Sequence, residues 1–279
     1  MPTILSTILK TIGLILAVLV LTVFTQIGGF VLLLSLMVAH LLRHRKPQRW
    51  PKWAFKTFIF LGTYLLFNIA IVPPLARLTG RVPLPVFSSE TLVPKQLGYC
   101  LMNRHYVEPE LKALLEDAGK HLSTQFPGTA ITYLDANLPF WDGFPLLPHL
   151  SHNDGEKVDL AFFYQDEAGA YARNHTRTWL GYGSIEAPTS REKNWTEICL
   201  SRGYWQYNFI ETFTGPDEDM ALDRDRTASL IRYLARSPKT GKILLEPHLK
   251  YRWGLGGFNK IRFHGCHAVR HDDHIHLQL

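Results

Sequence analysis

Apolar positions are distributed unevenly along the chain. From Thr11 to Leu42 no Asp, Glu, Lys or Arg interrupts the run, and a further uncharged stretch covers Thr57–Ala76. As one helix at 1.5 Å per residue the first run would be about 48 Å long, well beyond a hydrocarbon core of about 30 Å. A hairpin absorbs the excess, with a span near Ile4–Phe24, a turn over Thr25-Gln26-Ile27-Gly28-Gly29 and a shorter span near Phe30–Leu42. A single steeply tilted helix is the alternative. The 57–76 run is long enough to cross once and is expected to close at Pro73-Pro74, with Arg81-Val82-Pro83-Leu84-Pro85 continuing as a stiff linker.

Beyond residue 80 the pattern changes. Leu111, Leu114, Leu115 and Leu122 fall on one stripe of Glu108–Thr124 and predict a helix, and Leu230, Ile231 and Leu234 do the same for Asp223–Ala235. Strands are expected at Thr129–Leu134, Val158–Tyr164, Lys242–Leu245, Lys260–Phe263 and Ile275–Leu279; Val158–Tyr164 is apolar almost throughout and should be central. Gly254-Leu255-Gly256-Gly257 opens no helix and lacks phosphate-loop spacing, so it reads as a turn. The expected class is α+β: a membrane module of two to three transmembrane helices over 1–79, then a small domain over 80–279 with a central antiparallel sheet.

Charge sharpens that division. Residues 1–79 hold eight basic groups and no acidic one, leaving 22 basic and 24 acidic groups in the rest, so the net +6 belongs to the first segment alone. A basic nucleic-acid-binding domain is thereby excluded, because its positive field should sit on the folded part. Abundant aromatic and aliphatic residues exclude wholesale disorder. Lys and Arg concentrate in the short loop Arg43–Trp53. The positive-inside rule puts that loop in the cytoplasm and residues 80–279 outside it, whichever way the first run folds. A cleaved signal peptide or buried helices of a soluble protein are the competing readings. The length of the run, the lack of an Ala-x-Ala site and the absence of any acidic residue weigh against both. Three cysteines, Cys100, Cys199 and Cys266, allow at most one bridge.

Two clusters carry candidate chemistry. In Ser151-His152-Asn153-Asp154-Gly155-Glu156-Lys157-Val158-Asp159, His152 sits in a polar turn and Asp159 inside an apolar strand. A carboxylate there is costly unless paired or bound to a metal; an ordinary turn with a solvated Asp is the bland alternative. The second cluster is Arg270-His271-Asp272-Asp273-His274-Ile275-His276-Leu277-Gln278-Leu279, and five of the 13 histidines lie between His264 and His276. As a strand it would put His274 and His276 on one face, roughly 7 Å apart, and Ile275, Leu277 and Leu279 on the other. A His-rich surface end is the alternative. Together the clusters offer imidazole and carboxylate ligands for a catalytic zinc with a position open to water. Such an ion lowers the pKa of water to about 7 and polarises a carbonyl. A neighbouring imidazole could move the proton. His149, His175, His248, His264 and His267 read as surface or supporting groups. Asp142, in Trp141-Asp142-Gly143, reads as a turn former or a substrate contact, and Asp272 and Asp273 as solvated groups or orienters of the histidines. The sequons at Asn174 and Asn194 matter only in a glycosylating secretory pathway.

His152-x6-Asp159 followed by a terminal His274-x-His276 resembles the zinc peptidase superfamily of lysostaphin-type enzymes and D-alanyl-D-alanine metallopeptidases, and within it most the penicillin-insensitive murein endopeptidases. Ser151-His152, Gly155, Val158-Asp159 and His271-Asp272-Asp273-His274-Ile275-His276-Leu277 carry the likeness. Asp225–Ile231 and Leu244–Lys250 look like the helix and strand that precede the last motif. The resemblance spans roughly 139–163 and 223–279, less than half of the outer domain. It implies zinc held by His152, Asp159 and His276, with His274 as the catalytic histidine (base or transition-state stabiliser) and His271 lining the active site. The implied reaction is hydrolysis of D-alanyl-diaminopimelate cross-links in peptidoglycan; the family it resembles is soluble and periplasmic, and the topology read above instead expects this chain anchored in the bacterial inner membrane, facing the periplasm. A D,D- or L,D-carboxypeptidase or dipeptidase, or a wall-binding scaffold that uses zinc only for folding, are the further readings.

Overall fold

The computed structural model describes residues 2–87, 89–206 and 218–279, so part of the motif-free stretch 166–215 lies outside the described residues. The first apolar run folds as two helices, α1 (Pro2–Thr25) and α2 (Gly28–Leu41). The chain reverses at Gln26, whose φ of 66° is left-handed. Tight packing follows. A Cβ on Gly29 would meet Thr22 Oγ1 and lie 2.6 Å from Val18 O, so only glycine lets the helices approach this closely. At 14 residues α2 is about 21 Å long, too short to span a bilayer.

Pro73-Pro74 does not close the third run, contrary to expectation. The helix α3 (Lys52–Leu66) passes through a π turn at Phe67–Ile71 into α4 (Val72–Leu78), with the prolines in the first turn of α4. There a missing N–H costs nothing, and the wide turn absorbs the break. The result is a 27-residue apolar element, Lys52–Leu78. It and Ile4–Thr25 are the two described helices long and apolar enough to cross a membrane, and almost none of either is buried.

Short polar and apolar contacts join this helical part to the rest. Asn103 Nδ2 donates to Thr25 O (3.3 Å), Tyr64 OH to Leu101 O (2.7 Å), and Phe140 N to Gln26 Oε1 (2.9 Å). Tyr106 packs among Ile27, Val31, Val72 and Ala76.

The remainder is a mixed α/β unit on a six-stranded sheet. Its strands are β1 (Leu92–Pro94), β2 (Ile131–Tyr133), β3 (Lys157–Ala161), β4 (Lys242–Leu244), β5 (Ile261–Arg262) and β6 (His274–Gln278), in the order β1-β2-β3-β6-β4-β5. The four central strands are antiparallel, but β1 with β2 and β4 with β5 pair parallel. Those pairs are joined through helices, α5 (Pro109–Gln125) and the short Pro247–Arg252, which is what a parallel connection requires. Val158 and Leu160 of β3 join Ile275 and Leu277 of β6 in one core with Leu111, Leu115 and Leu122 of α5. Leu230, Ile231 and Leu234 of α6 (Arg224–Arg236) complete it; Asp223 caps α6 by accepting from Arg226 N (3.1 Å). The helices take one face of the sheet. The other is left to the polar residues of β3 and β6.

Leu277 is fully buried at the centre of that core. Leu277→Ala should cost about 2–5 kcal/mol, read as a clear drop in the melting temperature of the detergent-solubilised chain. An unchanged midpoint would contradict the placement of β6 in the core.

Candidate metal centre

Strand register creates the site. His276 lies directly opposite Asp159 and His274 opposite Ala161, so Asp159, His274 and His276 share the face away from the helices. His152 arrives from the loop before β3. Its Nδ1 lies 2.9 Å from Ala136 O; a carbonyl only accepts, so the ring proton sits on Nδ1 and Nε2 presents its lone pair to the site. That Nε2 lies 3.2 Å from Asp159 Oδ1 and 3.1 Å from His276 Nδ1, and His276 Nδ1 lies 2.9 Å from Asp159 Oδ1. Three donor atoms thus form a near-equilateral triangle. Two of them, the imine nitrogen and the carboxylate oxygen, are electron-rich and need a positive group between them. Either a proton on His276 Nδ1 shared by both, or a cation held by all three, supplies it.

The other predicted residues fall around this triangle. His274 Nδ1 bonds Asp273 Oδ1 (2.5 Å), and its Nε2 lies 3.7 Å from Asp159 Oδ1. Asp273 is itself oriented by the backbone N–H of Gly183 (2.6 Å). His271 is buried with its ring 5.0 Å from that of His274 and 5.6 Å from that of His276. A cavity of about 320 Å³ opens onto the cluster, with His264, His267, Leu147 and Leu150 also in its wall. Asp142 is engaged elsewhere, by Arg81, and does not line the cavity. Asp272 is paired with Arg270.

Of the histidines read as surface or supporting groups, His149 lies against the cluster itself. It is buried, and its Nδ1 lies 3.3 Å from Asp159 Oδ2 and 3.1 Å from Asp135 Oδ2. Neither ring nitrogen has a well-directed hydrogen bond among the described residues. His149, His152 and Asp159 form a buried group that could bind a metal ion. His149 stands three positions before His152, and that spacing within one turn was the available signal. Asp135 and Tyr182 also join the cluster. Asp135 accepts a two-pronged ion pair from Arg104 (2.6 and 2.7 Å), and Tyr182 OH donates to Asp159 Oδ2 (2.8 Å). Asp135 follows the apolar strand β2 as Asp159 lies within β3, so the rule that flagged one could have flagged both. Nothing in the sequence around Tyr182 marks it. His175 is exposed away from the cavity, and the His248 ring donates to Glu186 O (2.8 Å).

Burial and charge set the protonation of these groups. Burial pushes the Asp159 carboxyl up, but the imidazoles gathered around it, with His274 and the hydrogen bond from His276 among them, hold it well below the usual range. Burial alone would discharge His274, yet Asp273 and Asp159 raise it to about 9, leaving an imidazolium at neutral pH. His276 is lowered to about 4 and His271 well below its ordinary value, both chiefly by burial.

A disulfide joins Cys199 to Cys266 across 67 residues, tying the loop that carries His264 and His267 to the helix Trp195–Ser201. Cys100 remains free and buried.

No protein-family model matches the chain, and no curated protein does either.

Removing the hydroxyl that fixes Asp159 should loosen the site without removing a donor. Tyr182→Phe is expected to weaken metal affinity about 10–100-fold, the usual effect of losing a partner of a ligating group, measured by competition with a chromogenic chelator. Unchanged affinity would mean that Asp159 is not a ligand.

Proposed function

We propose that the chain is a membrane-anchored zinc metallopeptidase that hydrolyses peptide cross-links of bacterial peptidoglycan, with zinc held by His152, Asp159 and His276. The observation that carries this reading is the donor triangle. Zinc bonds of about 2.0–2.1 Å in tetrahedral geometry set neighbouring donors about 3.3 Å apart, and the three edges of 3.2, 3.1 and 2.9 Å lie within a few tenths of that. The buried His149 ring, set between the Asp135 and Asp159 carboxylates, also fits a centre arranged around a cation. When bound, zinc supplies an acidified water and stabilises charge on a polarised carbonyl.

The protein groups account for the rest of the chemistry. His274, held at Nδ1 by Asp273, turns Nε2 toward the cluster, where it can stabilise the oxyanion developing on a scissile carbonyl and pass a proton to the departing amine. His271, kept neutral by burial, borders the same cavity, which has room for a short peptide segment.

Location supports the same reading. The basic loop over residues 43–53 favours a cytoplasmic side for itself and an outer side for the domain that follows the Lys52–Leu78 helix. The Cys199–Cys266 bridge suits an oxidising compartment such as the periplasm. The order of motifs and their resemblance to murein endopeptidases add the substrate class.

One observation favours a second reading. If His149 closed the centre as a fourth protein ligand, the site would be structural and the domain a zinc-stabilised wall-binding scaffold.

The test is digestion of purified peptidoglycan followed by muropeptide analysis. Zinc-loaded wild type should convert cross-linked dimers to monomers. His276→Ala should be inactive, and His274→Gln should keep its metal while losing about 10²–10⁴-fold in rate. Unchanged dimers with the loaded wild type would overturn the endopeptidase reading, and release of single terminal amino acids would move the activity to a carboxypeptidase.

A further inference from the structure

A second cavity, of about 560 Å³, lies away from the metal centre, in the angle between the Lys52–Leu78 helix and the outer domain. Its size falls within the range of about 300–1,000 Å³ typical of ligand pockets. Leu65 and Ile69 form part of one wall, and Phe87, Leu97 and Leu101 part of the other. These side chains are not covered by protein: Ile69 is 76% exposed and Phe87 81%. Contiguous apolar surface of this kind marks contact with a partner or a membrane. Here the apolar wall continues directly into the exposed face of a helix long enough to cross a bilayer.

Two polar residues interrupt the apolar lining. Asn68 sits in the π turn of Phe67–Ile71; its Nδ2 donates to Tyr64 O (2.9 Å), which leaves Oδ1 directed elsewhere. Asn68 Oδ1 and His105 Nδ1 both belong to residues lining this cavity, and both are buried with no hydrogen-bond partner among the described residues. Buried polar atoms are rarely left unmatched. π turns occur often at functional sites. His105 is almost fully buried, and burial lowers its pKa to about 3, so the ring is neutral. Lys112 lines the same cavity, its ammonium bonded to Pro83 O (3.0 Å), and no acidic side chain among the described residues does. An occupant with a hydrocarbon body and a polar or anionic end meets all of these features.

We propose that this groove holds one acyl chain of a bilayer phospholipid, with the polar end of the lipid beside Asn68, His105 and Lys112. The lipid would act as a wedge that sets the outer domain against the membrane surface. The inference rests on reading Lys52–Leu78 as a membrane span, and the experiment separates the two.

The full chain is reconstituted in vesicles of phosphatidylethanolamine and phosphatidylglycerol containing a phospholipid with a diazirine on one acyl chain. After irradiation, labelled peptides are mapped by mass spectrometry. Label is expected on α1 and on the outer-domain segment 83–101. The double substitution Leu97→Glu with Leu101→Glu should cut the outer-domain label more than about tenfold, because carboxylates resist hydrocarbon, and leave the α1 label unchanged. Leu65→Trp, which fills the groove from the helix side without adding charge, should do the same. Label on α1 with none on 83–101, or outer-domain label unaffected by either variant, overturns the lipid site. Absence of label on α1 as well overturns the membrane reading, and the lipid site with it.

Discussion

Opposing His276 to Asp159 in the two central strands is the constraint from which the rest of the site follows. Side chains alternate along a strand, so the register that aligns these two also turns Ile275 and Leu277 into the core against Val158 and Leu160. A slip of one residue would bury His274 and His276 among leucines and push the apolar residues toward the cavity. Helix packing on one face therefore fixes ligand-type side chains on the other. His152 needs a separate device, because it comes from a loop. The Ala136 carbonyl supplies it by holding the ring at Nδ1, which fixes both its direction and its tautomer.

Charge balance explains why the site has its wider membership. Asp135, Asp272 and Asp273 each have a fixed partner: Arg104, Arg270 and the His274 ring. Asp159 is surrounded by imidazoles and a tyrosine hydroxyl, with no arginine or lysine among the described residues bonded to it. A carboxylate fully removed from water is tolerated only when its charge is met. In the proposed reading zinc meets it, and Arg104 acts one step removed by neutralising Asp135, so that Asp135 and His149 stay beside the centre without adding a second uncompensated charge.

Much of this was legible in the sequence, for definite reasons. Periodicity located α5, α6 and five of the six sheet strands to within a few residues, because each buries one clear stripe or face; the three-residue edge strand β1 is too short to show a pattern. His152, Asp159, His274 and His276 stood out as polar groups in turn or strand positions where their cost had to be met. The parallel outer pairs of the sheet were not foreseen: strand pattern reports burial, and direction depends on the connecting helices. Pro73-Pro74 misled because proline stops a helix from within but is accepted in a first turn. His149, Asp135 and Tyr182 come together only through tertiary folding, two of them from loops with irregular spacing, so local pattern carried little of their role.

The long apolar helices and the metal-type cluster also share a frame. Gln26, at the turn between α1 and α2, accepts from Phe140 N, and Tyr64, midway along the Lys52–Leu78 helix, donates to Leu101 O, so the domain is seated against these helices. In the proposed reading this seating presents the cavity to wall peptides close to the membrane. The central claim, however, is one of coordination. Metal analysis of the purified chain, paired with anomalous scattering from its crystals, tests it most directly. The account predicts one zinc per chain, about 2 Å from His152 Nε2, Asp159 Oδ1 and His276 Nδ1. Metal-free protein under zinc-replete conditions, or an ion bound by His149 and Asp135 with the His276 ring uninvolved, would contradict it.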